Sequence, residues 1–217
     1  MDKKIILDAV KATREKGPKR KFTQSFDLIL NLKDIDVKKE GNKIDYFFAL
    51  PFGRGKKIKI CAFVDNELLK QAKEMYDSVI FKNEFDAWGD IKKQKKLAKE
   101  CTYFIAQANL MGQLASVFGK VLGPRGKMPN PKADCVVPAN KEIKSLYERL
   151  QKTVRIATKN EPIIKVVVGS ENMKDEEIAE NIFAAYNSII STLPQGEHSV
   201  KNFILKLTMG PKFVVKK

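Results

Sequence analysis

The chain has 217 residues, enough for one large or two small domains, and a hydrophobic fraction of 43% supplies a sizeable core. A net charge of +15 points to a polyanionic partner, either nucleic acid or an anionic membrane. No run reaches ~18 apolar residues and no charged start leads into an apolar signal core, so the chain reads as soluble, without a spanning helix or a visible export signal.

Asp2 to Lys16 reads as a helix with Ile5, Ile6, Ala9 and Val10 on one face, ended by Gly17-Pro18. Lys19-Arg20-Lys21-Phe22-Thr23-Gln24-Ser25-Phe26 then places three cations, an aromatic ring and two hydroxyls at the start of a strand in which Phe26, Leu28, Leu30 and Leu32 alternate. Cations neutralise phosphates, an aromatic stacks on a base or ribose, and hydroxyls bond a 2′-OH. The same stretch also reads as a helix–strand connection with a core phenylalanine and solvated lysines. A second strand runs from Ile44 to Leu50. Pro51 to Lys57, loosened by Gly53 and Gly55, looks like a boundary.

Beyond it, short apolar runs alternate with helical patterns: strands at 58–64, 79–81 and 103–106, helices at 67–75, 84–99 and 110–122. That rhythm predicts a parallel sheet with crossover helices. The run Lys92-Lys93-Gln94-Lys95-Lys96 reads as a solvated helix face, since neither aromatics nor hydroxyls flank it. Cys61, Cys101 and Cys135 are odd in number and lack C-x-x-C spacing, which argues for reduced thiols in a cytosol.

Gly123-Pro124-Arg125-Gly126-Lys127-Met128-Pro129-Asn130-Pro131 is a stiff, shaped loop. It is no P-loop, because Met128 stands where a Ser or Thr would hold Mg²⁺. Two readings stay open: Arg125 and Lys127 offered to phosphates, or a rigid connection that positions its neighbours. Residues 141–152 read as a helix with Ile143, Leu146, Tyr147 and Leu150 inward. Strands at 154–158 and 163–168 follow, joined by what reads as a hairpin connection. A long amphipathic helix with an acidic first turn spans 175–193. The last strand, Val200 to Leu207, stops at Gly210-Pro211, leaving Thr208 and Met209 at its rim.

With Phe22-Thr23, the 123–129 loop and Thr208-Met209-Gly210-Pro211 all in hand, the chain resembles the L1 family of large-subunit ribosomal proteins in its archaeal form. The resemblance covers essentially the whole chain. It implies an α/β and α+β fold of two domains: a split α+β domain from residues 1–57 and 154–217, and an inserted three-layer α/β domain with a parallel sheet from residues 58–153. It further implies an RNA-binding face of Lys21, Phe22, Thr23, Ser25, Thr208, Met209, Gly210 and Pro211, with Arg155 and Lys206 as further cations. Gly123, Pro124, Arg125, Gly126, Lys127, Met128 and Pro129 form a second-domain loop of open role. The partners it implies are large-subunit rRNA of the mobile stalk, exit-site tRNA and the protein's own mRNA, whose translation it would repress. Its implied setting is the cytoplasmic ribosome, and its implied free state a monomer. The family also tends to open its long helix on Ser or Thr, whereas this chain has Lys174, which cannot accept an orphan amide; a weak cap is expected.

The competing readings are a nucleotide-binding or hydrolytic enzyme on the inserted domain, and a basic protein of membrane surfaces. The first lacks phosphate-binding fingerprints and has His198 as its single histidine. The second lacks a basic helix with exposed Trp, Phe and Leu. The expectation is therefore a structural RNA-binding protein without catalytic residues, metal or cofactor.

Overall fold

The computed structural model describes residues 2–33, 35, 43–158 and 160–215. It divides into two compact units, Met1–Lys56 with Lys152–Lys217, and Lys57–Gln151. The divisions fall after Lys56 and Gln151, against expected divisions after Lys57 and Thr153.

Elements are numbered in chain order. The first unit contains α1 (Lys3–Glu15), β1 (Ser25–Leu32), β2 (Asp45–Ala49), β7 (Thr153–Ala157), β8 (Ile163–Ser170), α6 (Asp175–Thr192), β9 (Val200–Leu207) and β10 (Phe213–Val215). Its main sheet runs β10-β9-β1-β8, antiparallel throughout. Alternation along β1 buries Phe26, Leu28, Leu30 and Leu32 on one face, where Leu28 meets Val166 and Leu205 across the ladders. α1 and α6 supply the opposing apolar surface, including Ile6, Val10, Ile182 and Tyr186. Ile5, expected inward, is 37% exposed; the buried stripe of α1 is Ile6, Ala9, Val10 and Thr13.

Three further expectations change. The hairpin expected between β7 and β8 does not form: β7 pairs with β2, Phe47 opposite Arg155, while β8 pairs with β1. Pro162, without an N–H, accepts the Leu32 amide through its carbonyl and so carries the connection along β1 instead. β10 is a short edge strand beyond Gly210-Pro211 with no counterpart in the sequence reading. The start of α6 is better held than its Lys174 cap suggests. Glu177 accepts the Lys174 amide at 3.2 Å, and Arg14 donates to Asp175 at 2.9 Å and to the Met173 carbonyl at 3.0 Å.

The second unit contains β3 (Ile60–Val64), α2 (Asn66–Met75), β4 (Ser78–Phe81), α3 (Ile91–Glu100), β5 (Tyr103–Gln107), α4 (Met111–Leu122), β6 (Val136–Val137) and α5 (Lys144–Lys152, reaching the boundary). Its sheet is parallel, in the order β4-β3-β5-β6. Every residue of β3 is buried, as a strand covered by helices on both faces requires. Phe63 is the centre of an aromatic cluster with Phe85, Phe104 and Phe118, and all three cysteines are buried. The helix expected at 84–99 is broken. Residues Lys82–Trp88 form a 3-10 segment, and Asp90 starts α3 anew by accepting the Lys92 amide at 2.8 Å. Tyr147 is only half-buried, with its ring edge-on to Tyr76.

Candidate nucleic-acid interface

The β1–β9 ladder sets Phe26 opposite Leu207, so the approach to β1 and the exit of β9 meet at one corner of the sheet. Beyond that last pair the contacts continue through side chains. The Thr208 amide donates to the Ser25 carbonyl at 3.0 Å, and Thr208 Oγ1 accepts the Ser25 amide at 3.1 Å. The chain then turns sharply, with the Gly210 amide donating to the Leu207 carbonyl at 3.0 Å. A Cβ on Gly210 would stand 3.0 Å from Leu207 Cβ, so the turn leaves little room for any side chain there.

Gln24 ties this corner together. It is completely buried. Its Oε1 accepts the Met209 amide at 3.1 Å and its Nε2 donates to the Pro18 carbonyl at 2.8 Å. Its own amide donates to Glu171 Oε2 at 3.1 Å, and its carbonyl accepts the Glu171 amide at 2.9 Å. A buried amide satisfied on both ends fixes the loops it joins. Arg14, donating to the Glu171 carbonyl at 2.6 Å and lying 5.5 Å over the Phe26 ring, braces the corner from below.

On this frame Phe22 is 51% exposed and Met209 56% exposed. Lys21, Thr208 and Pro211 are exposed as well, with Thr23, Ser25 and Gly210 half-buried between them. Lys206 is half-buried on the sheet face away from α1 and α6, directly opposite Asp27. Burial raises the Asp27 pKa above the ordinary aspartate value, and Lys206 partly offsets this. The corner is thus a fixed backbone carrying two exposed apolar side chains with hydroxyls and cations around them.

Arg155 is not in this group. It lies on β7, in the two-stranded sheet, where it forms a bidentate pair with Asp45 at 2.8 and 2.9 Å and lies 5.9 Å from the Phe47 ring centre. The 123–129 loop belongs to the second unit. Gly126, at φ +62°, lets it fold back, so that the Lys127 amide donates to the Leu122 carbonyl at 3.0 Å. Lys127 Nζ donates to the carbonyls of Ala98 and Cys101, both at 2.7 Å, and closes the C-terminus of α3. Burial first and Arg125 second lower its pKa. Of the two readings of the loop, these bonds favour the rigid connection for Lys127, whose amine already holds two carbonyls. Met128 packs against the core and Pro129 is buried, while Gly123, Pro124 and Arg125 are exposed.

The sequence reading omitted Gln24, Glu171 and Arg14 from the site. Gln24 shares strand parity with Phe26, Leu28 and Leu30, which marks it as inward-facing and therefore in need of partners. Glu171 and Arg14 carry no local signal. The single histidine, His198, lies in a 3-10 turn of the first unit, and the three cysteines lie in the second, so neither unit holds a Cys–His pair of its own. Among the described residues, no helix is long and apolar enough to cross a membrane.

Comparison with known proteins gives a consistent result. The family model described as "Ribosomal protein L1p/L10e family" matches residues 10–211. Large ribosomal subunit protein uL1 of Methanocaldococcus jannaschii is 46% identical over 218 residues, covering 100% of this chain and 97% of that protein. The protein of the same name from Methanothermococcus thermolithotrophicus is 45% identical, covering 100% of both chains. That from Pyrococcus abyssi is 41% identical, covering 99% of this chain and 97% of its own. These relatives are named as ribosomal components, not as enzymes. The chain belongs to the ribosomal protein L1p/L10e family.

Proposed function

We propose that the β1–β9 corner binds ribosomal RNA of the large subunit, at the mobile stalk near the tRNA exit site. The observation that carries this reading is the exposure of Phe22 and Met209 on a backbone held by Gln24 and Thr208. Two apolar side chains open to solvent on a rigid corner lose little freedom on binding. Phe22 can stack on a base or ribose, Met209 can fill a shallow groove, and Lys19, Arg20, Lys21 and Lys206 can neutralise phosphates. Shape, not base-edge readout, would then select the RNA. The names of the relatives support the ribosomal setting.

The same corner would also take a similarly folded segment of the protein's own mRNA, so that free protein represses translation once its ribosomal site is filled. Exit-site tRNA is a further partner on this reading. The inserted unit is not required for the rim itself, because Phe22 and Thr208 both belong to the first unit.

The test is a titration of large-subunit rRNA fragments with the parent chain and with Phe22→Ala/Met209→Ala. About 4–6 phosphate contacts would give a log–log salt slope of roughly −3 to −5. The double variant should keep that slope and lose about ten- to hundredfold in affinity, whereas equal affinity would remove the rim from the site. Joining Met1–Lys56 directly to Lys152–Lys217 should preserve most of the affinity if the shortened chain folds by circular dichroism.

A further inference from the structure

Helix α3 of the second unit carries a line of cations that the corner described above does not use. Lys92, Lys95, Lys96 and Lys99 recur at i, i+3, i+4 and i+7 and so form one stripe along the helix. The stripe lies opposite the buried Gln94, Leu97 and Ala98, and all four lysines are exposed. Among the described residues none of them has an ion-pair partner. Other cations of the same unit do: Lys57, Lys82 and Arg149 pair with Asp77, Asp65 and Asp134.

Asp90 caps the start of the helix and Lys99 suits the negative end of its dipole, but the rest of the pattern works against the helix. The first turn of α3 contains no acidic residue, and Lys92 stands there against the positive end of the helix dipole. Lys92 with Lys96, and Lys95 with Lys99, are like charges one turn apart, each pair mildly destabilising. A ten-residue helix does not stand on propensity alone. The core holds it: Gln94 Nε2 donates to the Trp88 carbonyl at 2.6 Å and the Val117 carbonyl at 3.1 Å, while Leu97 and Ala98 enter the apolar cluster. A local rule broken and then propped up from below is the mark of a surface kept for a partner.

The proline-glycine loop extends the stripe. Arg125 Nη1 donates to the Lys95 carbonyl at 3.3 Å, and the two bonds from Lys127 fasten the loop to the end of α3. Arg125 is exposed, so its guanidinium joins the four ammonium groups in one ridge on a rigid support.

We propose that this ridge is a second, separate RNA contact, which takes the phosphates of one strand of an RNA duplex without regard to sequence. Neighbouring side chains in the stripe are about 5–6 Å apart at Cβ, a separation that suits successive phosphates along a strand. No aromatic residue lies within the stripe, so stacking on splayed bases is not its chemistry, and backbone neutralisation is. A bilayer fits less well. It would want several apolar anchors alongside the cations, and α3 offers a single exposed large apolar side chain, Ile91, one turn before Lys95 at the start of the stripe. The ridge does not depend on the β1–β9 corner, since every residue in it belongs to the second unit.

The experiment compares the whole chain with Lys92→Gln/Lys95→Gln/Lys96→Gln/Lys99→Gln, using a short RNA duplex of scrambled sequence as probe at several salt concentrations. The log–log salt slope of the variant should be flatter by roughly three, with affinity about ten- to hundredfold lower at physiological salt. Arginine at the same four positions should keep the parent's slope and affinity. Melting of the glutamine variant should be unchanged or higher, because two like-charge pairs disappear. An unchanged slope on the duplex overturns the proposal. So does a loss of binding to phosphatidylserine vesicles without a loss on the duplex. Phe22→Ala reads the β1–β9 corner separately on large-subunit rRNA, so failure there leaves the ridge result standing.

Discussion

Thr208 Oγ1 accepts the Ser25 amide across the open end of the β1–β9 ladder, joining residues 183 positions apart. The hydroxyl also lies 3.3 Å from the Ser25 carbonyl, within reach as a donor. It therefore does a strand's work where the strand has stopped. Were Thr208 an RNA contact and nothing more, Thr208→Val would remove that contact and leave stability untouched. The structure changes that expectation. Valine should cost about 0.5–1.5 kcal/mol of stability by leaving the amide of the half-buried Ser25 to water, and the loosened corner should also bind RNA less tightly. Thr208→Ser should restore both. Thermal melting and RNA titration of the two variants check the pair of effects, and a valine variant with parental melting would show the bond to be dispensable.

Gln24 is the stronger test of the corner. Leucine has a similar volume but can neither accept the Met209 amide nor donate to the Pro18 carbonyl. With the side chain completely buried, about 2–3 kcal/mol of stability should be lost. RNA affinity should fall at temperatures where circular dichroism still shows the native fold, because Met209 and the Pro18–Phe22 loop are no longer held. Gln24→Glu should be worse than leucine, since a buried carboxylate would meet the Pro18 carbonyl, another acceptor, where Nε2 now donates.

The elements legible from sequence are those with a local period. Phe26, Leu28, Leu30 and Leu32 declare β1 by alternation, and all four are buried. The strand–helix rhythm beyond Lys57 declares the parallel sheet. What the sequence hid depends on partners far along the chain. β7 and β8 look like a hairpin because they are consecutive, yet each finds its ladder elsewhere. β10 is three residues long, too short to carry any period. At 84–99 the apolar spacing runs through Gly89-Asp90, and the capping chemistry of Asp90 outweighs it. The meeting of the Phe22–Ser25 stretch with Thr208 emerges only through family resemblance, because no local rule links the two ends of a chain. Arg155 illustrates the converse: a cation on a strand says nothing of which sheet it joins, or that Asp45 will hold it.

Asp27 offers a pH test. Its folded-state pKa is raised by burial, with Lys206 opposing, so the folded chain holds this proton more tightly than the unfolded one. A carboxyl with a raised folded-state pKa lowers stability once it ionises, and the penalty is relieved as pH falls through that value towards the ordinary 3.8. Asp27→Asn should therefore melt higher than the parent at pH 7, with the difference shrinking as the pH approaches the ordinary carboxylate range. RNA affinity should rise a few-fold, about the effect of removing one negative charge beside Lys206. Melting curves between pH 4 and 7 check the sign; a difference that grows on acidification would contradict the burial effect.

Lys127 separates a rigid connection from a phosphate contact in the proline-glycine loop. Its amine closes the end of α3 through the Ala98 and Cys101 carbonyls. Lys127→Met keeps an unbranched apolar stem of similar reach and removes only the donor and its charge. Two carbonyls at a helix C-terminus then lose their partner, together with a favourable cation at the negative end of the dipole. Because the site is half-exposed, water compensates in part, and about 1–2 kcal/mol should be lost from the second unit. Hydrogen exchange should quicken first in the last turn of α3. Affinity for large-subunit rRNA through the β1–β9 corner should stay at the parental value, as should its salt slope, because Lys127 belongs to the other unit. If Lys127 instead served a phosphate, the pattern would invert, with steady melting and a salt slope flatter by about one.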